Sequence, residues 1–413
     1  MKKYARDNRP YVKPVTRIEL SEKNTKLRIV LIVVLLSIGV TALLMGLMQG
    51  LNVEPGWQQV EVSSKKPHCG GDFVLMYDFS DYGGSATAAN KQLNALYTEA
   101  VETAWLIFSP DVEDAAVGNL CRLNRHVNEP VTVEPVLYEA FSKIAANGNR
   151  NVYLAPVYEE YNRIFLCENE AEAALYDPAF QEELQPYLQE LAAFAGDPQA
   201  VDVTLLGDNR VQLTVSEAYL AFAQEYGIDT FVDFSWLKNA FIADYLAQTL
   251  ADGGFTSGYL SSYDGFTRNL DSRGSSYTVN LFHRQGSDVN LPARMSYTGP
   301  MSIVFLRNFP MTDLDRWHYF AYSDGRITTV HIDPADGRCK SAIDTLTGYA
   351  ADKSCAEILL ELIPVFVAED FQPQTLSEAA EQGIFTVWCE EKKLCTTDTN
   401  LQLEWLDENY TLE

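Results

Sequence analysis

The sequence predicts an α+β body carried behind a single transmembrane helix, and three observations predict it. Residues 29–48 form an uncharged run of apolar and small residues, the length a helix needs to cross the roughly 30 Å hydrocarbon core. Downstream, helix-periodic and strand-alternating segments follow one another with neither a glycine-rich dinucleotide fingerprint nor a P-loop. The composition, 47% hydrophobic and 12% aromatic, is rich enough to build a core, and no repeat or low-complexity tract interrupts it.

The N-terminal elements set the topology. Residues 1–28 form a basic segment with nine Lys/Arg against three Asp/Glu, which the positive-inside rule places in the cytoplasm. The apolar run at 29–48 is longer than a signal-peptide core, is followed by no small-x-small cleavage pattern and has no lipid-attachment cysteine after it, so it reads as an uncleaved signal-anchor. Residues 49–68, with Pro55, Gly56, Ser63 and Ser64, read as an extracytoplasmic linker. Residues 69–413 then form the exported body of a single-pass cell-membrane protein.

Charge narrows the partners of that body. Of 31 Lys/Arg and 57 Asp/Glu in the chain, nine and three precede residue 29, so the remainder carries a formal charge of −32. Nucleic acid and anionic lipid are poor partners for such a surface. The seven cysteines are too dispersed for a zinc site. Cys389 and Cys395 flank a predicted hairpin turn and either bridge or remain thiols.

Within the body, residues 73–77 predict an opening strand, and Ser85 N-caps an amphipathic helix carrying Leu93, Leu96, Val101, Trp105 and Leu106. Helices are predicted over 136–146, 178–194, 236–250 and 355–367. Strands are predicted over 201–206, 211–215, 230–234, 277–282, 302–306, 318–322 and 327–332. Along this framework run Ser109-Pro110, then Arg122-Leu123-Asn124; a strand entering Ala240-Phe241-Ile242-Ala243-Asp244; the turn Ser262-Tyr263-Asp264-Gly265; and His331-Ile332-Asp333-Pro334 with Gly337.

In order and content these segments resemble the bacterial FAD:protein FMN transferases, the ApbE-type flavin transferase family, over nearly all of residues 72–403. That family has a Ser-Pro loop before Arg-Leu-Asn, a strand leading into a Lys-Gly-Tyr-Ala-x-Asp helix and a Gly-Gly-Asp turn. A late His-Ile-x-Asp-Pro-x-x-Gly segment precedes an Ala-Asp-x-x-x-Thr helix. The match is closest at His331, Ile332, Asp333, Pro334 and Gly337, and next at Arg122, Leu123 and Asn124.

The resemblance implies an ApbE-type mixed α+β body that binds FAD with its pyrophosphate against Mg²⁺. A Thr or Ser hydroxyl of an exported redox protein would attack the FMN phosphorus and AMP would leave, or FAD would be hydrolysed. His331 and Asp244 take the catalytic positions; Asn124, Lys238, Asn239, Ser262, Asp264, Gly265 and Asp333 take the flavin-contact positions. Glu357 and Glu361 stand where the family has its metal-binding Asp and Thr. Two carboxylates at i and i+4 share one helical face and can reach a hard cation, or they form a solvated acidic face.

Departures accompany the match. In the gap-free register Asn239 replaces the family lysine and Ala240 its glycine, Lys238 taking the role only after a slip of one residue. Ser262-Tyr263 replaces Gly-Gly, and no Thr-Ser-Gly precedes His331. Each change adds bulk or removes a donor where backbone would meet flavin or pyrophosphate. A pseudoenzyme that keeps the fold as a flavin-binding or protein-interaction module is therefore the alternative. Asp81 to Thr87 also resembles the short motif on which such transferases place FMN, with Thr87 as acceptor, but reads first as an ordinary turn and N-cap ahead of a helix.

Overall fold

A computed structural model describes residues 55–80 and 85–413. The predicted basic segment, the predicted membrane helix at 29–48 and residues 81–84 of the Thr87 motif lie outside the described residues. Among the described residues no helix is long and apolar enough to cross a membrane. From Glu54 to Glu413 the chain is one compact unit.

A nine-stranded sheet organises it. In spatial order its strands are Trp57–Val60, Phe73–Asp78, Gly258–Ser262, Phe266–Asn269, Met301–Arg307, Thr345–Ala350, Phe385–Glu390, Lys393–Thr396 and Thr411–Leu412. Every pairing is antiparallel except the last. The first strand falls inside the expected linker, because Trp57 to Val60 pair with Asp78 to Leu75.

Period-two alternation assigns the two faces of this sheet to different partners. Val304 faces Gly348 across the ladder and Ile303 faces Tyr349. On the Gly348 side the Cys355–Phe366 helix lies so close that a Cβ there would sit 2.5 Å from Leu362 Cδ1, so only glycine permits the approach. On the other side Ile303, Tyr349 and Val387 bury against Leu281, Ala293 and Met295 of a three-stranded sheet ordered Gln402–Trp405, Asp288–Thr298, Ser276–Gln285. Helix Lys238–Asp252 packs beside Cys355–Phe366, and helix Ala86–Phe108 packs on Lys238–Asp252.

Between the adjacent strands Phe73–Asp78 and Gly258–Ser262 the chain inserts most of its helices, with a small sheet of Pro130–Thr132, Arg210–Val215 and Val201–Gly207. Ser85 caps its helix through the Ala88 N–H as predicted, and Pro135–Asn147 and Cys355–Phe366 form where periodicity places helices. Residues 230–234 do not form the predicted strand. The Asn124 side chain takes their backbone groups instead: its Oδ1 accepts from Phe231 N and Val232 N at 3.0 Å each, and its Nδ2 donates to Val232 O at 2.8 Å. With its edge occupied by a side chain, the segment has no ladder to join.

Candidate functional site

The residues matching the family motifs separate into two clusters. One surrounds His331, and the other lies at the N-terminus of the Cys355–Phe366 helix.

His331 is 4% exposed. Its ring meets Trp236, Phe366 and Tyr319 edge-on, with centroids 4.8, 5.0 and 6.1 Å away, and its Nδ1 has no hydrogen-bond partner among the described residues. Burial among these rings, with His318 and the Arg307 guanidinium nearby, pushes the imidazole pKa down to about 3. The space beside it, bounded by Trp236, Asp264, Arg307, His318 and Tyr319 among others, is about 10 Å³, room for about one water.

Next to this cage the Ser262–Gly265 turn meets the start of the Lys238–Asp252 helix. Asn239 Nδ2 donates to Asp264 Oδ2 at 2.9 Å, while Asp264 Oδ1 and Asn239 Oδ1 have no partner among the described residues. Burial raises the Asp264 pKa to about 6 against the lowering effect of Ser262 and Asn239. Asp72 is raised by burial as well, with Lys238 the main opposing charge. Ser262 Oγ closes the turn by accepting from Phe266 N at 2.9 Å. Gly265, at φ +111, accepts from Phe305 N through its carbonyl at 2.9 Å, and a Cβ on it would lie 2.3 Å from Phe305 O. Tyr263 stacks on His318 with centroids 5.8 Å apart. Asp333 builds its own turn, accepting from Ala335 N at 2.9 Å and pairing with Lys340 at 2.8 Å.

The second cluster is bound up in the helix end. Asp244 accepts from Cys355 N and Ala356 N, each at 2.9 Å, and pairs with Arg268 at 3.2 Å. Glu357 closes a capping box, accepting from Ser354 N at 2.9 Å and Ser354 Oγ at 2.7 Å. Glu361 accepts from Asn147 Nδ2 at 3.0 Å. His331 touches Phe366 at the far end of this helix, and the nine residues from Glu357 to Phe366 span about 14 Å of helix axis. His331 and the Glu357/Glu361 pair therefore belong to separate places.

These residues do not fit magnesium. Among the described residues no group of three or more His, Cys, Asp or Glu converges as a metal site, whereas a hard cation needs several free oxygens in one place. The Asp244 and Glu357 oxygens already serve backbone N–H groups.

Sequence reasoning missed the groups that fill the centre: Trp236, Arg307, Asp315 and His318. Arg307, at the end of its strand, is 2% exposed, bonds Tyr263 O at 3.1 Å and is neutralised by buried Asp315. Asp315 in turn accepts from Met311 N and Thr312 N at 2.7 Å. The Thr312-x-x-Asp315 capping pattern was the available signal.

No family model matches the sequence, and no curated protein is similar to it. Among solved structures the chain is similar to the ApbE protein of Thermotoga maritima, with 11% identity over 81% of this chain and 93% of that one and a TM-score of 0.53. It is similar to the flavin transferase ApbE of Vibrio cholerae at 15% identity, 84% and 97% coverage and TM-score 0.51. It is also similar to the flavinyl transferase ApbE of Pseudomonas stutzeri at 14%, 83% and 94%, and 0.50. The architecture is thus a flavin-transferase type of α+β fold. This chain carries an ApbE-like version of it, spanning nearly the whole of those structures.

Proposed function

We propose that this chain is a membrane-tethered, extracytoplasmic binding module built on the flavin transferase fold, with its transferase centre closed. One observation carries the reading. The position matching the family histidine opens onto about 10 Å³, where a flavin needs a pocket of roughly 300 Å³ or more. The family's chemistry requires a base at the attacking hydroxyl and oxygen ligands for a metal at the pyrophosphate. His331 is sealed behind three aromatic rings, and Asp244 and Glu357 hold a helix end. Sequence and packing agree here, because the Tyr263 side chain stands where the family has glycine and Trp236 covers the imidazole.

The test is catalytic. The full-length chain is incubated with FAD, Mg²⁺ and a peptide bearing an Asp-x-x-Ser/Thr-Gly-Ala-Thr motif, and AMP release and peptide mass are followed. Unchanged peptide and no AMP above the protein-free rate are expected. AMP release that disappears in His331→Ala would establish the transferase reading instead.

A further inference from the structure

A cleft of about 710 Å³, lined on one side by Ser262, Tyr263, Gly265 and Arg307 of the candidate site, lies between the nine-stranded sheet and the three-stranded sheet. Its two walls differ in kind. Tyr259 and Ser261 contribute from one strand and Ile303, Phe305 and Arg307 from another, the alternate residues that a sheet face presents. The opposite wall is Ser276, Tyr277, Thr278, Val279 and Asn280, five consecutive residues. A strand that lines a cavity with consecutive residues presents its edge to it. The sheet order agrees, since Ser276–Gln285 pairs with Asp288–Thr298 on one side and stands at the sheet margin on the other.

The lining is also selective in charge. In a chain with 57 acidic residues, no Asp, Glu or Lys among the described residues lines this cleft. Its one charged group among the described residues, Arg307, is neutralised by Asp315. An open strand edge offers alternating donors and acceptors that only another backbone matches in register. An acid-free, neutral slot beside it favours uncharged side chains.

We propose that this cleft takes an uncharged, extended polypeptide segment that adds as a strand to the edge at residues 276–280. Five residues of strand span about 17 Å. Side chains on one face of the added strand rest on Ser261, Thr267 and Ile303. This inference rests on the binding-module reading and names its ligand class. The transferase assay reads AMP release and the peptide assay reads backbone pairing at 276–280, so the two can fail separately although Ser262, Gly265 and Arg307 belong to both places.

The test uses the full-length chain in detergent and a pooled library of uncharged synthetic octapeptides with apolar residues at alternate positions. A second pool of the same sequences is N-methylated at alternate backbone nitrogens. Retention from the first pool is expected, with slowed amide exchange at 276–280 and about tenfold weaker binding after N-methylation, the equivalent of one or two lost backbone hydrogen bonds. Thr267→Trp, which fills the slot, is expected to abolish retention. No retention, equal binding of the N-methylated pool, or protection of 276–280 that follows self-association of the chain without peptide would each overturn the proposal. The N-methylated arm uses the native chain and does not depend on any variant folding.

Discussion

Asp244 Oδ2 accepts the backbone N–H of Ala356 at 2.9 Å across 112 residues of sequence. The carboxylate of one helix thereby caps the next, a role that a search for catalytic acids reads as chemistry.

Asp244→Ala is expected to destabilise the fold by about 2–4 kcal/mol, because it strands two helix N–H groups and the partly buried Arg268. Urea unfolding measures this, and a loss under 0.5 kcal/mol would remove the structural assignment.

The pH dependence of stability should carry the signature of His331. Its folded pKa, about 3, lies below the value of about 6.5 in the unfolded chain. The unfolded state therefore takes up a proton that the folded state refuses, and stability falls as pH drops from about 6.5 toward 3. His331→Phe keeps the ring among Trp236, Tyr319 and Phe366 and should flatten that limb by up to about 1.4 kcal/mol per pH unit. Denaturant midpoints of both proteins between pH 7 and pH 4 check it.

Gly265→Ala is expected to cost about 2–4 kcal/mol, since φ is +111 and the added Cβ would meet the Phe305 carbonyl at 2.3 Å. Thermal unfolding should show a markedly lower midpoint than for an alanine at Gly286, whose Cβ meets nothing within 4 Å.

Magnesium at millimolar concentration is expected to leave the melting temperature unchanged, because ligation stabilises only a state that binds the ion. Glu357→Ala should lower stability by about 0.5–2 kcal/mol through the lost capping box, equally with and without the ion.

All seven cysteines should react with a thiol reagent after denaturation, without prior reduction. Each is a free thiol. Cys389 pairs with Leu394 while Cys395 pairs with Trp388, so the two thiols point to opposite faces of the hairpin and cannot bridge.

The parts of this fold legible in sequence are those set by local rules. The Ser85 and Ser354 caps and the helices at 135–147 and 355–366 follow from capping and periodicity. Long-range substitution hid the rest. Residues 230–234 have strand propensity, but an asparagine 107 residues earlier takes their backbone. The helix Ala155–Phe165 begins at Ala155-Pro156, where a proline at the first turn was not read as a start. At the site, motif order located His331, Asp264 and Asn239 in one neighbourhood, as the shared lining and the Asn239–Asp264 bond show. It could not show that Trp236 and Tyr319 close over the imidazole, because that depends on tertiary packing between distant segments.

FAD titration of the full-length chain by flavin fluorescence, with and without Mg²⁺, tests the closed centre most directly. The account predicts no saturable change at micromolar FAD in either condition and none restored by the metal. Saturable, Mg²⁺-dependent binding that is lost in His331→Ala would contradict it and place a working flavin site behind Trp236.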